Sequence, residues 1–92
     1  MDDVFNVGDI VLSTMGRDSG RHYIIMETEE NYVYICDGDF HKVDKPKKKK
    51  RKHIKTTGAV SEYVAGKIAE GTKVSNAELR RAILEFEQIG QI

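Results

Sequence analysis

The residues of this chain best suited to chemistry are the cations of one short run. Residues 45 to 55 read KPKKKKRKHIK and contain eight bases and no acid. Like charges so close together repel one another, and no run of acids beside them in the sequence offsets the repulsion. The pattern predicts an anionic partner, and the phosphate groups of a nucleic acid are the anions that such runs bind.

The charge of the whole chain is segregated along the sequence. The 92 residues hold 15 bases and 15 acids, so the formal net charge is zero. Residues 1 to 44 contain three bases and ten acids, a net −7; residues 45 to 55 carry +8; residues 56 to 92 contain four bases and five acids, a net −1. We expect the acidic part to be repelled by most of an RNA surface, which restricts contact to one edge of the molecule.

Two other interpretations of the basic run remain open. It is either a solvated loop that binds nothing in particular or, in a eukaryote, a nuclear import signal of the PKKKKRK type. We expect exchange of Lys47, Lys48, Lys49 and Lys50 for glutamine to leave the thermal midpoint unchanged or slightly raised, because like-charge repulsion is relieved.

Metal binding and catalysis find little support in the sequence. The three histidines and Cys36 show no C-x-x-C or H-x-x-x-H spacing, and Cys36 is expected to be a small buried residue of an apolar strand. Ser19 lies in GRDSG without a strand-to-helix elbow, and GKIAEGTK lacks the complete phosphate-loop pattern. We expect no enzyme, no metal and no cofactor.

Short apolar runs bounded by turn residues predict the elements that carry the cations. We expect five strands, at residues 10–12, 23–26, 32–36, 39–43 and 53–55. Asp37-Gly38 is a favoured pair for a two-residue hairpin turn. Five short strands at this spacing predict a small, strongly curved barrel.

From residue 60 the apolar period changes to about 3.6, which predicts two helices. Val60, Val64 and Ile68 form the stripe of the first helix, which ends at Gly71. The second helix begins with a capping box, Ser75 and Glu78, and carries an apolar stripe. That stripe comprises Leu79, Ala82, Ile83 and Phe86. We expect it to pack on the first helix and the open side of the barrel; the alternative is a docking surface for a protein.

One part of the sequence is similar to a known family. The segment VGDIVLSTMGRDSGRHYIIMETEENYVYICDG resembles a KOW motif, the strand-loop-strand element of ribosomal proteins and NusG-type transcription factors. Counted from Ile10, Gly20 stands eleventh, where the family has its required glycine. The stretch HKVDKPKKKKRKHIKTT resembles the lysine-rich loop and last strand of large-subunit ribosomal proteins of archaea and eukaryotes. The resemblance covers about residues 5 to 57.

The resemblance implies a mostly β fold with α: a five-stranded SH3-like barrel over residues 1–57, including the basic loop 45–55, followed by a helical extension over 58–92. It also implies RNA binding by the loop after the first strand and the loop before the last. By position, the first loop contributes Arg17, Ser19, Gly20 and Arg21. The second contributes Lys45, Lys47, Lys48, Lys49, Lys50, Arg51, Lys52, Lys55 and, within the run, His53.

Sequence specificity would require stacking or base-edge contacts in addition to phosphate binding. Tyr32 and Tyr34 alternate onto one strand face, where they form either a stacking platform or ordinary packing at the rim of the barrel.

These patterns predict a cytoplasmic protein, peripheral to the ribosome, that binds structured RNA, with ribosomal RNA as its partner and proteins as further partners through helices 61–86. The alternative is a protein-interaction module of the transcription or translation machinery. We expect no membrane association, because the longest apolar run has five residues and the start, MDDVFNVGD, is acidic where a signal peptide is cationic.

Overall fold

The structure is a computed structural model that describes residues 4 to 89. Five strands precede two helices: β1 (Asp9–Ser13), β2 (His22–Thr28), β3 (Tyr32–Cys36), β4 (Lys47–Lys50), β5 (Ile54–Val60), α1 (Glu62–Ala69) and α2 (Asn76–Ile89). One turn of 3-10 helix, Arg51–His53, joins β4 to β5. The predicted combination of five strands and two C-terminal helices is confirmed.

The strands form one antiparallel sheet in the order β4-β3-β2-β1-β5. Among the described residues no pairing joins β4 to β5, so both are edge strands and hydrogen bonds do not close the sheet into a barrel. The boundary predicted between residues 57 and 58 falls within β5.

One face of the sheet, the inner face, carries a core to which no helix contributes. Its side chains come from four strands and from the segment before β1: Phe5, Val11, Tyr23, Ile25, Val33, Ile35 and Ile54. Five of them, in β1, β2 and β3, are fully buried. Irregular pairing between Asp9 and Val11 and between Ile25 and Glu27 lets the strands bend, as bulges do. The sheet therefore curves around this core.

The opposite, outer face packs against the helices. Ile10, Ile24 and Cys36 of the sheet form a second buried cluster with helix and loop residues. Those residues are Val64, Val74, Leu79 and Ile83. Because β1, β2 and β3 are covered on both faces over much of their length, their sequences are apolar runs rather than strict alternations. No helix within residues 4 to 89 is long and apolar enough to cross a membrane.

The prediction of a fourth strand at residues 39–43 is wrong, as is that of a hairpin turn at Asp37-Gly38. The Asp37 carboxylate accepts hydrogen bonds from the backbone N–H groups of Asp39 and His41, at 3.0 and 2.8 Å, and these bonds fold the chain into turns. The fourth strand is the lysine run itself, which pairs with β3 from Lys47↔Ile35 to Lys50↔Tyr32.

The predicted start of the second helix is confirmed in detail. The Ser75 hydroxyl accepts from the Glu78 backbone N–H at 3.1 Å, and the Glu78 carboxylate accepts from the Ser75 backbone N–H at 2.8 Å. α1 begins two residues later than the predicted stripe, because Ser61 is its N-cap and accepts from the Val64 N–H. The stripe of α2 faces the sheet, with Leu79 and Ile83 buried.

Candidate nucleic-acid interface

The lysine run forms an edge strand whose side chains alternate between the two faces of the sheet. Lys48 and Lys50 lie on the outer face, opposite Tyr34 and Tyr32 of β3, and both lysines are exposed. Lys47 is also exposed, although it pairs with a core residue. Three of the four lysines of β4 therefore present their ammonium groups to solvent.

Lys49 is the exception, and it corrects the prediction that every cation of the run is free to bind RNA. Its side chain is only 9% exposed, and its Nζ donates to Asp18 Oδ1 at 2.6 Å and to the Met15 carbonyl at 2.5 Å. Because this charge is already paired inside the protein, Lys49 is removed from the candidate interface.

Asp18 is the centre of a buried polar cluster around Lys49. Its carboxylate also accepts from the Ser13 hydroxyl at 2.7 Å and lies 3.0 Å from His41 Nε2. Burial acts to raise the pKa of Asp18, but the hydrogen bonds, that from Lys49 foremost, outweigh burial and lower it to about 2. The Ser13 hydroxyl is fully buried and donates to a carboxylate rather than to a histidine, so it is not arranged as a nucleophile beside a base.

The cluster also brings together the two segments that the sequence predicted to act together. The backbone N–H of Thr14 donates to the His53 carbonyl at 2.9 Å, and Lys49 reaches the Met15 carbonyl. The loop between β1 and β2 is thereby fixed beside the end of β4. Arg17, Ser19 and Gly20 of this loop are exposed.

Gly20 has the backbone conformation that the sequence predicted for it. Its φ is +83°, in the region that L side chains rarely adopt. A Cβ at this position would meet nothing within 4 Å. Conformation alone, and not crowding, therefore requires a glycine here.

Arg21, the last member of the predicted loop set, is engaged within the protein. Its Nη2 lies 3.2 Å from a carboxylate oxygen of Asp37 and 3.2 Å from one of Asp39, and its guanidinium lies 5.2 Å from the centre of the Phe40 ring. The side chain is 46% exposed. Arg21 is therefore paired with two acids inside the protein, whereas Arg17 is exposed.

The remaining cations continue the basic edge beyond β4. Arg51 donates from Nε and Nη2 to the Glu29 carbonyl at 2.9 and 2.7 Å, which fixes the 3-10 turn against the connection between β2 and β3. His53 is half-buried, and Lys45, Lys52 and Lys55 are exposed. With Lys49 removed, seven of the eight bases of residues 45–55 remain on this edge.

Tyr32 and Tyr34 lie beside the lysines on the outer face and belong to neither core cluster. Both are half-buried. The Lys48 ammonium lies 4.5 Å from the centre of the Tyr32 ring, a cation–π contact. The Tyr34 hydroxyl donates to the Glu29 carboxylate at 2.9 Å. The two aromatic rings and the two outward lysines thus form one patch, which we name the tyrosine-lysine patch.

A second surface feature is a groove between the end of β5, α1 and α2. It has a volume of about 690 Å³. Ile10 and Phe86 line it together with Val60, Tyr63 and Ile89, and each of the last three residues is more than half exposed. The groove combines apolar side chains with several charged ones.

Neither the histidines nor the cysteine forms a metal site in the described part of the chain. Within residues 4 to 89, no three His, Cys, Asp or Glu side chains are grouped so as to hold a metal ion. Cys36 is fully buried, as predicted, and burial together with the nearby Asp37 and Asp44 raises the pKa of its thiol to about 12.

No protein-family model matches the chain, and no curated protein is significantly similar to it.

Proposed function

We propose that this protein binds RNA, with ribosomal RNA as its target, through the cationic edge formed by β4, the 3-10 turn and the start of β5. The observation that carries the proposal is the exposure of Lys47, Lys48 and Lys50 on one edge strand, in a chain with no net charge. An edge strand with three solvent-exposed lysines, of which only Lys48 lies near a carboxylate, that of Glu29, supports binding to a phosphate backbone. The resemblance to KOW-type ribosomal proteins points to the same partner and to a cytoplasmic, ribosome-associated role.

The same proposal includes an SH3-like barrel as the scaffold. The inner core supports it, because seven side chains are buried between strands that no helix covers on that face. The strand order, with β1 between β2 and β5, and the irregular pairing in two ladders support strong curvature. A barrel of this kind would hold the β1–β2 loop and the basic edge side by side.

The candidate ligands for phosphate are the exposed and half-exposed cations of these two segments. They comprise Arg17, Lys45, Lys47, Lys48, Lys50, Arg51, Lys52, His53 and Lys55, with Ser19 and Gly20 available for hydrogen bonds or close backbone approach. If six of these cations neutralise phosphates, the affinity for single-stranded RNA falls with salt at a log-log slope of about −4.

The test is filter binding of the purified protein to ribosomal RNA and to duplex DNA, at about 50 and 200 mM salt. We expect tight, salt-sensitive binding that prefers RNA. The triple variant Lys47→Gln/Lys48→Gln/Lys50→Gln should bind more weakly and reduce the slope by about 2, because three phosphate contacts are lost. Lys49 is left in place so that the variant keeps its buried ion pair.

A charge-matched control separates this edge from the effect of net charge. The variant Lys42→Gln/Lys73→Gln/Arg81→Gln removes three exposed cations outside the edge and should retain most of the affinity. Equal losses in the two variants, or equal binding to RNA and DNA, would contradict the proposal.

The groove beside α2 favours a second candidate function, binding of a protein. An apolar contact there would be nearly independent of salt, whereas phosphate binding is steeply dependent on it. A ribosomal particle that retains the protein at high salt through this groove, but not after Tyr63→Glu, would support this alternative.

A further inference from the structure

We propose that the tyrosine-lysine patch is a stacking site for an unpaired RNA base, with Tyr32 as the stacking residue. The inference rests on the proposed function and goes beyond it, since it assigns a structural class of RNA: strands with unpaired nucleotides rather than continuous duplex. Phosphate contacts alone carry no information about the bases.

The first step is the position of the Tyr32 ring. It lies on the outer face of β3, outside both core clusters, so its partial exposure does not follow from packing around either core. The helices contact this face further along, at Ile24 and Cys36. A partly exposed aromatic ring on the surface of a sheet, outside both cores, is a platform on which a base can stack.

The second step is the distribution of charge around the ring. Lys50 lies directly across from Tyr32, and Lys48 lies across from Tyr34 with its ammonium over the Tyr32 ring at 4.5 Å. On the other side of β3, Glu27 pairs with Tyr34. Glu29 also borders the patch, with its carboxylate 3.7 Å from Lys48 Nζ and hydrogen-bonded to the Tyr34 hydroxyl.

This arrangement sets the direction in which a strand can lie. Phosphates are attracted to the edge along β4 and repelled from the side of β2, where Glu27 stands. A nucleotide whose phosphate contacts Lys48 or Lys50 therefore has its base directed inward, over β3. Tyr32 adjoins both lysines, because it pairs with Lys50 and its ring lies 4.5 Å from the Lys48 ammonium. A phosphate can replace the contacts that Lys48 makes with this ring and with Glu29.

Tyr34 does not serve equally well. Its hydroxyl is engaged by Glu29, and its neighbour on β2 is an acid, so a phosphate beside it would meet two carboxylates. Both tyrosines are half-buried, so exposure does not distinguish them. The charges around them do, and they assign the stacking position to Tyr32.

The experiment compares a short unstructured RNA with the same sequence annealed to its complement, at one salt concentration, for the full chain and three variants. Tyr32→Leu removes the π face and retains apolar bulk, Tyr32→Phe retains the ring, and Tyr63→Leu removes a more exposed tyrosine that lies on α1, away from the basic edge. We expect only Tyr32→Leu to weaken binding to the single strand, roughly 5- to 150-fold, the range for loss of one base stack. Its salt slope should be unchanged, because no phosphate contact is removed.

A second measurement does not depend on the variant folding. In the unaltered protein, the ring protons of Tyr32 should shift on addition of the single-stranded RNA through the ring current of the stacked base, while those of Tyr63 should not. Unshifted Tyr32 protons in the bound state, or equal affinity of Tyr32→Leu and the unaltered protein, would overturn the inference and leave RNA binding standing. Failure of both RNAs to bind at about 50 mM salt would overturn the proposed function and the inference with it.

Discussion

Lys49 differs from the other lysines of β4 because the strand turns its side chain inward, opposite Val33. An ammonium group left unpaired there would be strongly destabilising. The ion pair with Asp18, and the hydrogen bond to the Met15 carbonyl, satisfy it and attach the β1–β2 loop to the edge strand. One residue of the basic run therefore stabilises the structure that exposes the others.

We predict that Lys49→Gln lowers the free energy of unfolding by about 3 kcal/mol, because it leaves the Asp18 carboxylate buried without its cation. Lys48→Gln, at an exposed position, should change that free energy by no more than about 0.5 kcal/mol. Urea unfolding of the two variants measures the difference. Equal stability would show that the charge of Lys49 is not needed for folding. The sequence predicted that exchanging all four lysines of β4 would leave the thermal stability unchanged or slightly raised. The structure leads to a different expectation, in which exchange of Lys49 alone destabilises the protein.

At the scale of elements, the sequence predicted those helices and strands that depend on interactions between residues close together in the chain. The capping box of α2 needs only Ser75 and Glu78, three residues apart, and it was predicted correctly. β1, β2 and β3 were predicted within one or two residues, because their apolar runs reflect burial on both faces.

The fourth strand was not predictable in this way. The lysine run has no apolar alternation, and it becomes a strand only by pairing with β3 and by burying Lys49 against an acid 31 residues away. Sequence reasoning also missed Ser13 and Asp18, because nothing near them marks their partner. The register in which β4 pairs with β3 determines both the burial of Lys49 and the position of Lys48 and Lys50 beside Tyr32.

The connection from β3 to β4 shows how closely two elements approach. Gly38 has φ +80°, and a Cβ there would lie 2.2 Å from the Asn76 carbonyl oxygen at the start of α2. Two hydrogen bonds from α2 hold the connection in place. Arg80 donates to the Gly38 carbonyl at 2.6 Å, and the Asn76 side-chain oxygen accepts from the Val43 N–H at 2.7 Å. The connection and the helix therefore form a fixed unit.

We predict that Gly38→Ala destabilises the protein by about 1 to 3 kcal/mol more than Gly20→Ala, the usual cost of overpacking. Both changes place a side chain at a positive φ, which costs about 1 to 2 kcal/mol. Only Gly38→Ala also forces α2 to move. Thermal unfolding of the two variants provides the comparison, and similar midpoints would mean that α2 can shift at little cost.

At the scale of the whole molecule, the zero net charge conceals an uneven surface. Of the ten acids in residues 1 to 44, Asp9, Asp18 and Asp37 are buried, and the latter two are paired with Lys49 and Arg21. The acidic surface is therefore weaker than the net −7 of that segment indicates. The basic edge keeps seven of its eight cations, so the expected repulsion from RNA is reduced more than the attraction.

We predict that the protein is retained on a sulfonate cation exchanger at pH 7, although its formal net charge there is zero. A local field at the basic edge, rather than the net charge, should determine retention. The triple variant of Lys47, Lys48 and Lys50 should elute at a distinctly lower salt concentration than the charge-matched variant of Lys42, Lys73 and Arg81. Coincident elution of the two would mean that the charge is effectively spread over the surface.

The shared core between sheet and helices has a consequence for the growing chain. Ile24 and Cys36 are made early, but Leu79 and Ile83, which cover them, follow more than 40 residues after Cys36. At a synthesis rate of about 5–20 residues per second, roughly 2 to 8 s pass before that cover can be made. Until α2 has been made, the apolar outer face of the sheet lacks the side chains that cover it, and the four lysines of β4 are synthesised within the same interval.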